Sequence, residues 1–413
     1  MSTPPNFDTM KRKIVIACDS FKGCLGSGEV ASAVAEGIGR AMNLAEGIGR
    51  TANLPEGTQS GMHKNGIEGN ERHGAEVVTL EVADGGEGTG RILTRILGGK
   101  SVAVETSDPL GRTITAEYGI VEATAVIEMA QASGLTLLTK EERNPLLTST
   151  YGTGEMILDA IGKGCRRFLI GIGGSATNDG GTGMLVALGF RFTDRNGKLI
   201  EGCCGGRLEE ITDIDSSNVP QEILESEFIV ACDVTTPFSG DEGASRVFSR
   251  QKGADDDAME TLEKGMQSFA RVISRKYGID LNEIPGTGAA GGLGGAFKAC
   301  LNAELKSGID MILDAAGFDE IIEGASLVIT GEGRIDFQSG KGKVIDGICR
   351  RCRAKSVPVL AIAGIVESYN ESMTVLPIGP RPQNERDLEH AMRPEVARKN
   401  ISDTIAKYLP ELL

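Results

Sequence analysis

Five short stretches, four of them combining glycine with carboxylates or a basic residue and one (231–237) carrying its carboxylate without glycine, hold most of the groups able to do chemistry. They are 17–23 (ACDSFKG), 83–89 (ADGGEGT), 171–181 (GIGGSATNDGG), 231–237 (ACDVTTP) and 329–336 (ITGEGRID). Glycine lets backbone N–H groups approach a phosphate, and carboxylates hold a metal or accept a proton. Asp84 and Glu87 are spaced to share Mg2+, which takes one or two carboxylates plus water and phosphate oxygens; turn chemistry is the plainer reading. Asp19 and Lys22 flank a turn, where Asp19-Ser20 reads equally as an ordinary helix N-cap. Glu332, Arg334 and Asp336 alternate at the end of an apolar run, and three charges there favour a site over a role in the fold. Asp179 and Asp233 are the remaining carboxylates placed at strand ends.

What positions these groups is a repeated strand–glycine turn. Three blocks directly follow the β-branched runs IVIA, LIGI and LVIT, and the fourth, ACDVTTP, follows FIV. That is how α/β proteins build sites at strand C-termini. The pattern predicts strands over 13–18, 75–82, 167–172, 227–232, 326–330 and 357–363. Helices are expected over 27–40, 153–163, 183–188, 255–277, 342–355 and 395–408, and a flexible or phosphate-binding turn over 285–295 (PGTGAAGGLGG). Residues 101–121 and 124–129 alternate like antiparallel strands around the DPLGR turn at 108–112. Both ends of the chain therefore read as parallel α/β and the middle as mixed. This gives a discontinuous Rossmann-like domain (1–90 plus 290–413) and an inserted mixed α/β domain (91–289), with a ligand site in the cleft between them. AEGIGRAMNL at 35–44 recurs as AEGIGRTANL at 45–54 with eight of ten positions identical, which reads as a slipped duplication inside a surface insertion over 41–74.

Composition removes several classes of function. The net charge of −15, the absence of Trp and the 4% aromatic content argue against a nucleic-acid partner. No apolar run reaches the roughly 18 residues of a transmembrane span. The first thirteen residues lack a signal-peptide core, and nine Cys without framework spacing fit reduced thiols, so a cytoplasmic protein is expected. Cys349 and Cys352 form a CxxC inside a predicted helix, without the second pair a zinc ribbon needs. With only three His, none in a glycine–acid block, proton transfer falls to Asp, Glu or Lys. No GxxxxGK[ST] occurs, so any ATP handling proceeds without a P-loop. Gly171-x-Gly173-x-x-Ala176 with Asp194 beyond it spells a dinucleotide fingerprint, yet polar Thr177-Asn178-Asp179 stand where an apolar helix face belongs.

Taken together, the blocks resemble class I glycerate kinases. ACDSFKG is similar to that family's opening PDSFKG, with Cys18 in place of proline. ADGGEGT, DPLGR, IEMAQASGL, ERNPLLTSTYGTGE, GIGGSATNDGGTGM, ACDVTTP, GASRVFSRQKGA, PGTGAAGGLG and ITGEGRID follow in family order. The N-terminal dozen residues, the repeat region at about 41–74 and a stretch at 366–394 fall outside the match. The resemblance implies two α/β domains around a cleft and ATP- and Mg2+-dependent phosphorylation of D-glycerate, with O2 the expected position. On this reading Ser20, Lys22, Arg334 and the loop residues Gly173, Gly174, Ser175 and Asn178 bind glycerate. Asp84, Glu87 and Asp233 hold Mg2+, while Gly288, Gly291, Gly292, Gly331, Glu332 and Lys343 take the nucleotide. Asp179 or Asp19, with Lys22, performs the proton transfer. A dinucleotide-dependent oxidoreductase and a non-catalytic sugar-acid sensor are the rival readings; a homo-oligomer is compatible with all three.

Overall fold

The computed structural model describes residues 12–45, 67–72, 75–83, 88–335, 344–367 and 373–412. Its strands are, in chain order, β1 (Arg12–Cys18), β2 (Ile67–Arg72), β3 (Ala75–Leu80), β4 (Lys100–Ser107), β5 (Thr113–Val121), β6 (Thr124–Glu128) and β7 (Arg167–Gly171). They continue with β8 (Arg191–Thr193), β9 (Asp213–Asp215), β10 (Glu227–Ala231), β11 (Glu304–Lys306), β12 (Leu327–Ile335), β13 (Val359–Val366) and β14 (Thr374–Pro377). The architecture is mixed α/β with parallel sheets, and the chain divides into two compact units, 1–84 with 312–413 and 85–311. The second crossing lies between Met311 and Ile312 instead of near 290, because helix Ala289–Cys300 packs into the core of the 85–311 unit.

The first unit is built on a sheet of order β14-β13-β12-β1-β3-β2, parallel throughout except for the edge strand β2. Strands buried on both faces read as unbroken apolar runs, and Ile14–Cys18 of β1 are all fully buried. The two faces separate by residue parity. Leu360 and Ile362 join Ile14 and Ile16 against helices Ser27–Ala45 and Pro394–Leu412, while Ala361 and Ala363 meet Ile345 of helix Val344–Ala354. The first helix runs to Ala45, beyond the expected end at Arg40. The first copy of the duplication, 35–44, is therefore helical and packed: Ile38 is fully buried, and a Cβ on Gly37 would lie 2.7 Å from that of Ile405. The second copy lies outside the described residues apart from Ala45.

The second unit carries a sheet of order β11-β10-β7-β6-β5-β4, parallel from β11 to β6 and antiparallel from β6 to β4. The DPLGR turn joins β4 to β5, with Asp108 accepting from the N–H groups of Leu110 and Arg112 at 2.8 and 2.9 Å. Phe168 of β7 stacks on Phe228 of β10 with ring centroids 4.8 Å apart, and Phe297 packs on Phe228. β8 and β9 form a separate small ribbon.

Candidate functional sites at the strand ends

In the first unit the strand order reverses at β1, which has β3 on one side and β12 on the other. Loops at such a reversal diverge and leave a crevice beyond the strand C-termini. Asp19 and Ser20 leave β1 at that point, and Glu332 and Arg334 lie in the second half of β12. The Asp19 N–H donates to the Gly331 carbonyl at 2.9 Å, which ties the two strand ends together. Asp19 is 5% exposed and its Oδ1 accepts from the Ser20 N–H at 2.6 Å. The tight turn from Phe21 to Leu25, closed by a 2.8 Å bond from the Phe21 N–H to the Leu25 carbonyl, holds Lys22 exposed. Glu332 is 7% exposed, with Oε1 3.4 Å from the Ile345 N–H at the start of helix Val344–Ala354, where the helix dipole favours a negative charge. Arg334 pairs with Glu367 at 2.9 Å.

A cavity of about 1220 Å³ opens here, and Asp19, Ser20, Lys22, Glu332 and Arg334 lie on its wall. Much of the lining comes from 378–400, which contributes Arg381, Arg386 and Arg393. Most of that segment lies in the stretch that carries no family motif. Gly331 is a strand residue packed on Ile362 and does not form a loop. Asp84, Glu87, Lys343 and Asp336 lie outside the described residues.

In the second unit the loop after β7 holds Gly173, Gly174, Ser175, Asn178 and Asp179. Gly173 and Gly174 are exposed, Ser175 is 9% exposed, and Thr177, Asn178 and Asp179 are fully buried. Asp179 accepts four hydrogen bonds: from the Thr150 N–H and hydroxyl at 2.8 Å each, and from the N–H groups of Gly181 and Gly183 at 3.1 Å each. Burial raises its pKa against the pull of those bonds. A general base must reach the proton it removes, and this carboxylate is enclosed by its own backbone. The geometry gives Asp179 a part in shaping the loop.

The glycines of 285–295 have a packing reason for their residue type. Ala290, Gly291 and Gly292 have φ of 53°, 68° and 94°. A Cβ on Gly291 would stand 2.2 Å from the Thr177 carbonyl oxygen, and one on Gly288 2.1 Å from that of Pro237. The Gly180 N–H donates to the Gly291 carbonyl at 2.9 Å, and the Gly288 N–H to that of Thr236 at 3.0 Å. These glycines let two loops pack backbone to backbone, and Gly288, Gly291 and Gly292 are buried. Asp233 is exposed beyond β10, and its Oδ1 accepts from the Gly308 N–H at 2.9 Å, at the start of helix Gly308–Ala316.

The sequence reading passed over Lys252. It lies in GASRVFSRQKGA, is 1% exposed, and donates from Nζ to Ser175 Oγ at 2.8 Å and to the Thr177 carbonyl at 2.6 Å. Burial pulls its pKa down to about 7, partly offset by the charge of Asp179. Around this loop the buried Thr177 Oγ1, Asn178 Oδ1 and Ser249 Oγ have no hydrogen-bond partner. Lysine is almost never fully buried, so residue type alone gave no signal.

The rival fingerprint does not take its required form. The helix after β7 begins only at Thr182, and Asp194 accepts from the N–H groups of Asn196 and Lys198 at 2.8 and 2.9 Å in an exposed turn. Cys349 and Cys352 both lie in helix Val344–Ala354 as free thiols, pushed up by burial to about 11 and about 12. Among the described residues no three His, Cys, Asp or Glu are grouped to hold a metal, and no helix is long and apolar enough to cross a membrane.

Comparison with known proteins gives one consistent result. A model of the glycerate kinase family matches residues 58–410. The glycerate 2-kinase of Escherichia coli K12 is 42% identical over 354 residues, covering 85% of each chain. A glycerate kinase of Halalkalibacterium halodurans is 42% identical over 353 residues, again covering 85% of each. A crystal structure from Salmonella typhimurium LT2, provisionally called glycerate kinase 2, superposes with a TM-score of 0.76 at 36% identity over 97% of both chains.

Proposed function

Because the chain belongs to the glycerate kinase family, we propose that it transfers the γ-phosphoryl group of ATP to O2 of D-glycerate, giving 2-phosphoglycerate and ADP. One observation carries the reading: the cavity at the strand reversal of the first unit, where Asp19, Lys22, Glu332 and Arg334 meet on adjacent strand ends. Phosphoryl transfer asks little covalent work of a protein. It needs a positioned hydroxyl, an acceptor for its proton, and fixed charge around the transferring group. Asp19 is the acceptor in this proposal, held by the Ser20 N–H in one orientation. Lys22 and Arg334 neutralise charge on the transferring phosphoryl group, with Ser20 beside them on the cavity wall. Arg381, Arg386 and Arg393 are the cations available to the nucleotide phosphates, alongside Glu332, Gly331 and Lys343 from the family motif. The loop from Gly173 to Asn178 serves glycerate.

Mg2+ fits the donor set, since it needs only one or two hard carboxylates beside phosphate and water oxygens. Asp233 meets that requirement as an exposed strand-end carboxylate, and Asp84 and Glu87 have the same chemistry. When bound, the ion would supply positive charge to offset that of the phosphates.

Phosphorus NMR of the protein with ATP, Mg2+ and D-glycerate tests the reading. A new phosphomonoester resonance is expected, split into a doublet by the single proton at C2. A triplet would place the phosphate on O3, and no new resonance would overturn the activity. Asp19→Asn should lower kcat by about 10²–10⁴, the usual worth of a general base.

A further inference from the structure

Lys252 has no place in the proton transfer or the metal site, yet it is the most unusual ionisable group of the second unit. Its side chain is 1% exposed and donates to Ser175 Oγ at 2.8 Å and to the Thr177 carbonyl at 2.6 Å. The charged group that acts on it is Asp179, and that carboxylate is fully engaged by Thr150, Gly181 and Gly183. A buried ammonium without a bonded counter-ion is costly, and a loop can be fastened more cheaply by a neutral donor. Two further observations point to a ligand. Thr177 Oγ1, Asn178 Oδ1 and Ser249 Oγ are buried and unpartnered in the same region, where native interiors pair such atoms with protein, water or a ligand. Ser175 accepts from Lys252, so its own proton must point elsewhere, and its 9% exposure opens beside the exposed backbone of Gly173 and Gly174.

We infer that Lys252 is the buried positive charge of a carboxylate subsite in the second unit, whose mouth is the Ser175 hydroxyl and the Gly173–Gly174 backbone. This rests on the reading of the protein as a glycerate kinase and assigns the recognition of the substrate's carboxylate. Ser175 donates its hydroxyl proton to a carboxylate oxygen of a small 2-hydroxy acid. Lys252 never touches the ligand. It is a positioning residue that fixes the Ser175 rotor outward and polarises its O–H, since a hydrogen bond accepted from an ionised donor strengthens the next bond in the chain. The glyceryl carboxylate then meets a directed donor backed by a charge that solvent does not screen.

The experiment uses the full-length protein with D-glycerate and, separately, ATP as titrants. Ser175→Ala, which removes one hydroxyl at the mouth, should raise KM and Kd for D-glycerate about tenfold or more while leaving the Kd for ATP and the melting temperature near wild type. Lys252→Met should weaken glycerate at least as much, and the Ser175→Ala/Lys252→Met double variant should be little worse than Lys252→Met alone, because the lysine acts through the serine. Glyceramide, which lacks the carboxylate charge, should bind wild type and Ser175→Ala alike. Should Lys252→Met fail to fold, the Nζ and Cε resonances of Lys252 in the wild-type protein still decide: they should shift on saturation with D-glycerate and stay fixed with glyceramide. Wild-type glycerate affinity in Ser175→Ala, or lysine resonances indifferent to glycerate, would make Lys252 a loop fastener and overturn the inference. A wild-type protein that forms no phosphoglycerate yet binds glycerate through Ser175 would sink the kinase reading alone.

Discussion

Two aspartates at strand ends have the same formula and different surroundings. Asp179 accepts four hydrogen bonds, from Thr150, Gly181 and Gly183, whereas Asp19 lies on a cavity wall. Asp179→Asn would turn an amide NH2 toward donors it cannot satisfy. We expect a loss of about 1–3 kcal/mol of stability, read as a drop of about 2–4 °C per kcal/mol in the melting temperature of a unit this size. An unchanged melting curve with kcat down a hundredfold would return Asp179 to the proton-transfer role. Lys252 gives a prediction with a definite sign. Its folded pKa, about 7, lies below the unfolded value of a lysine, so the unfolded chain binds more protons between about pH 7 and 10. Stability contributed at this site must therefore rise with pH across that window, by at most about 1.4 kcal/mol per unit. The difference in unfolding free energy between wild type and Lys252→Met should shift in favour of wild type from pH 6.5 to 9; a flat difference would mean the ammonium is not penalised by burial.

At the scale of elements, the strand–glycine–acid grammar was readable and the meaning of individual glycines was not. The runs before ACDSFKG, GIGGSATNDGG, ACDVTTP and ITGEGRID are β1, β7, β10 and β12, all in parallel sheet. A parallel strand buried on both faces has to be apolar along its length, which is why those four were legible. PGTGAAGGLGG looked like a phosphate turn for the same reason phosphate turns look as they do: both need positive φ and close backbone approach. Here the approaching partner is the Thr177–Gly180 backbone. Gly291→Ala should accordingly cost about 1–3 kcal/mol in urea unfolding from overpacking and strain, with ATP affinity little changed. A variant that kept full stability and lost ATP would restore the phosphate role. The helix expected over 27–40 continues through Ala45, across the first copy of the duplication. That copy is the end of a packed helix, because Gly37 and Ile38 face helix Pro394–Leu412, a partner some 360 residues away in sequence.

Among the described residues each unit has its own large hydrophobic cluster, one around β1, β12 and β13 and one around β7, β10 and helix Asp256–Tyr277. Units with their own cores need not unfold together. Scanning calorimetry should give a calorimetric enthalpy larger than the van't Hoff enthalpy, and hydrogen exchange should assign the two transitions to 85–311 and to the remainder; a single two-state transition would contradict this. Hydrogen exchange suits the chain, since it has no Trp to report by fluorescence. By itself the sequence determined the α/β class, the strands that precede the motif blocks and the family, because hydrophobic period, turn chemistry and ordered motifs are local properties of the chain. Tertiary structure alone decided that Asp179 is enclosed, that Lys252 is buried under Ser175, and that Arg381, Arg386 and Arg393 face the same cavity as Asp19. Burial and solvent access depend on which distant segments meet, and a residue's type says nothing about its neighbours across the fold.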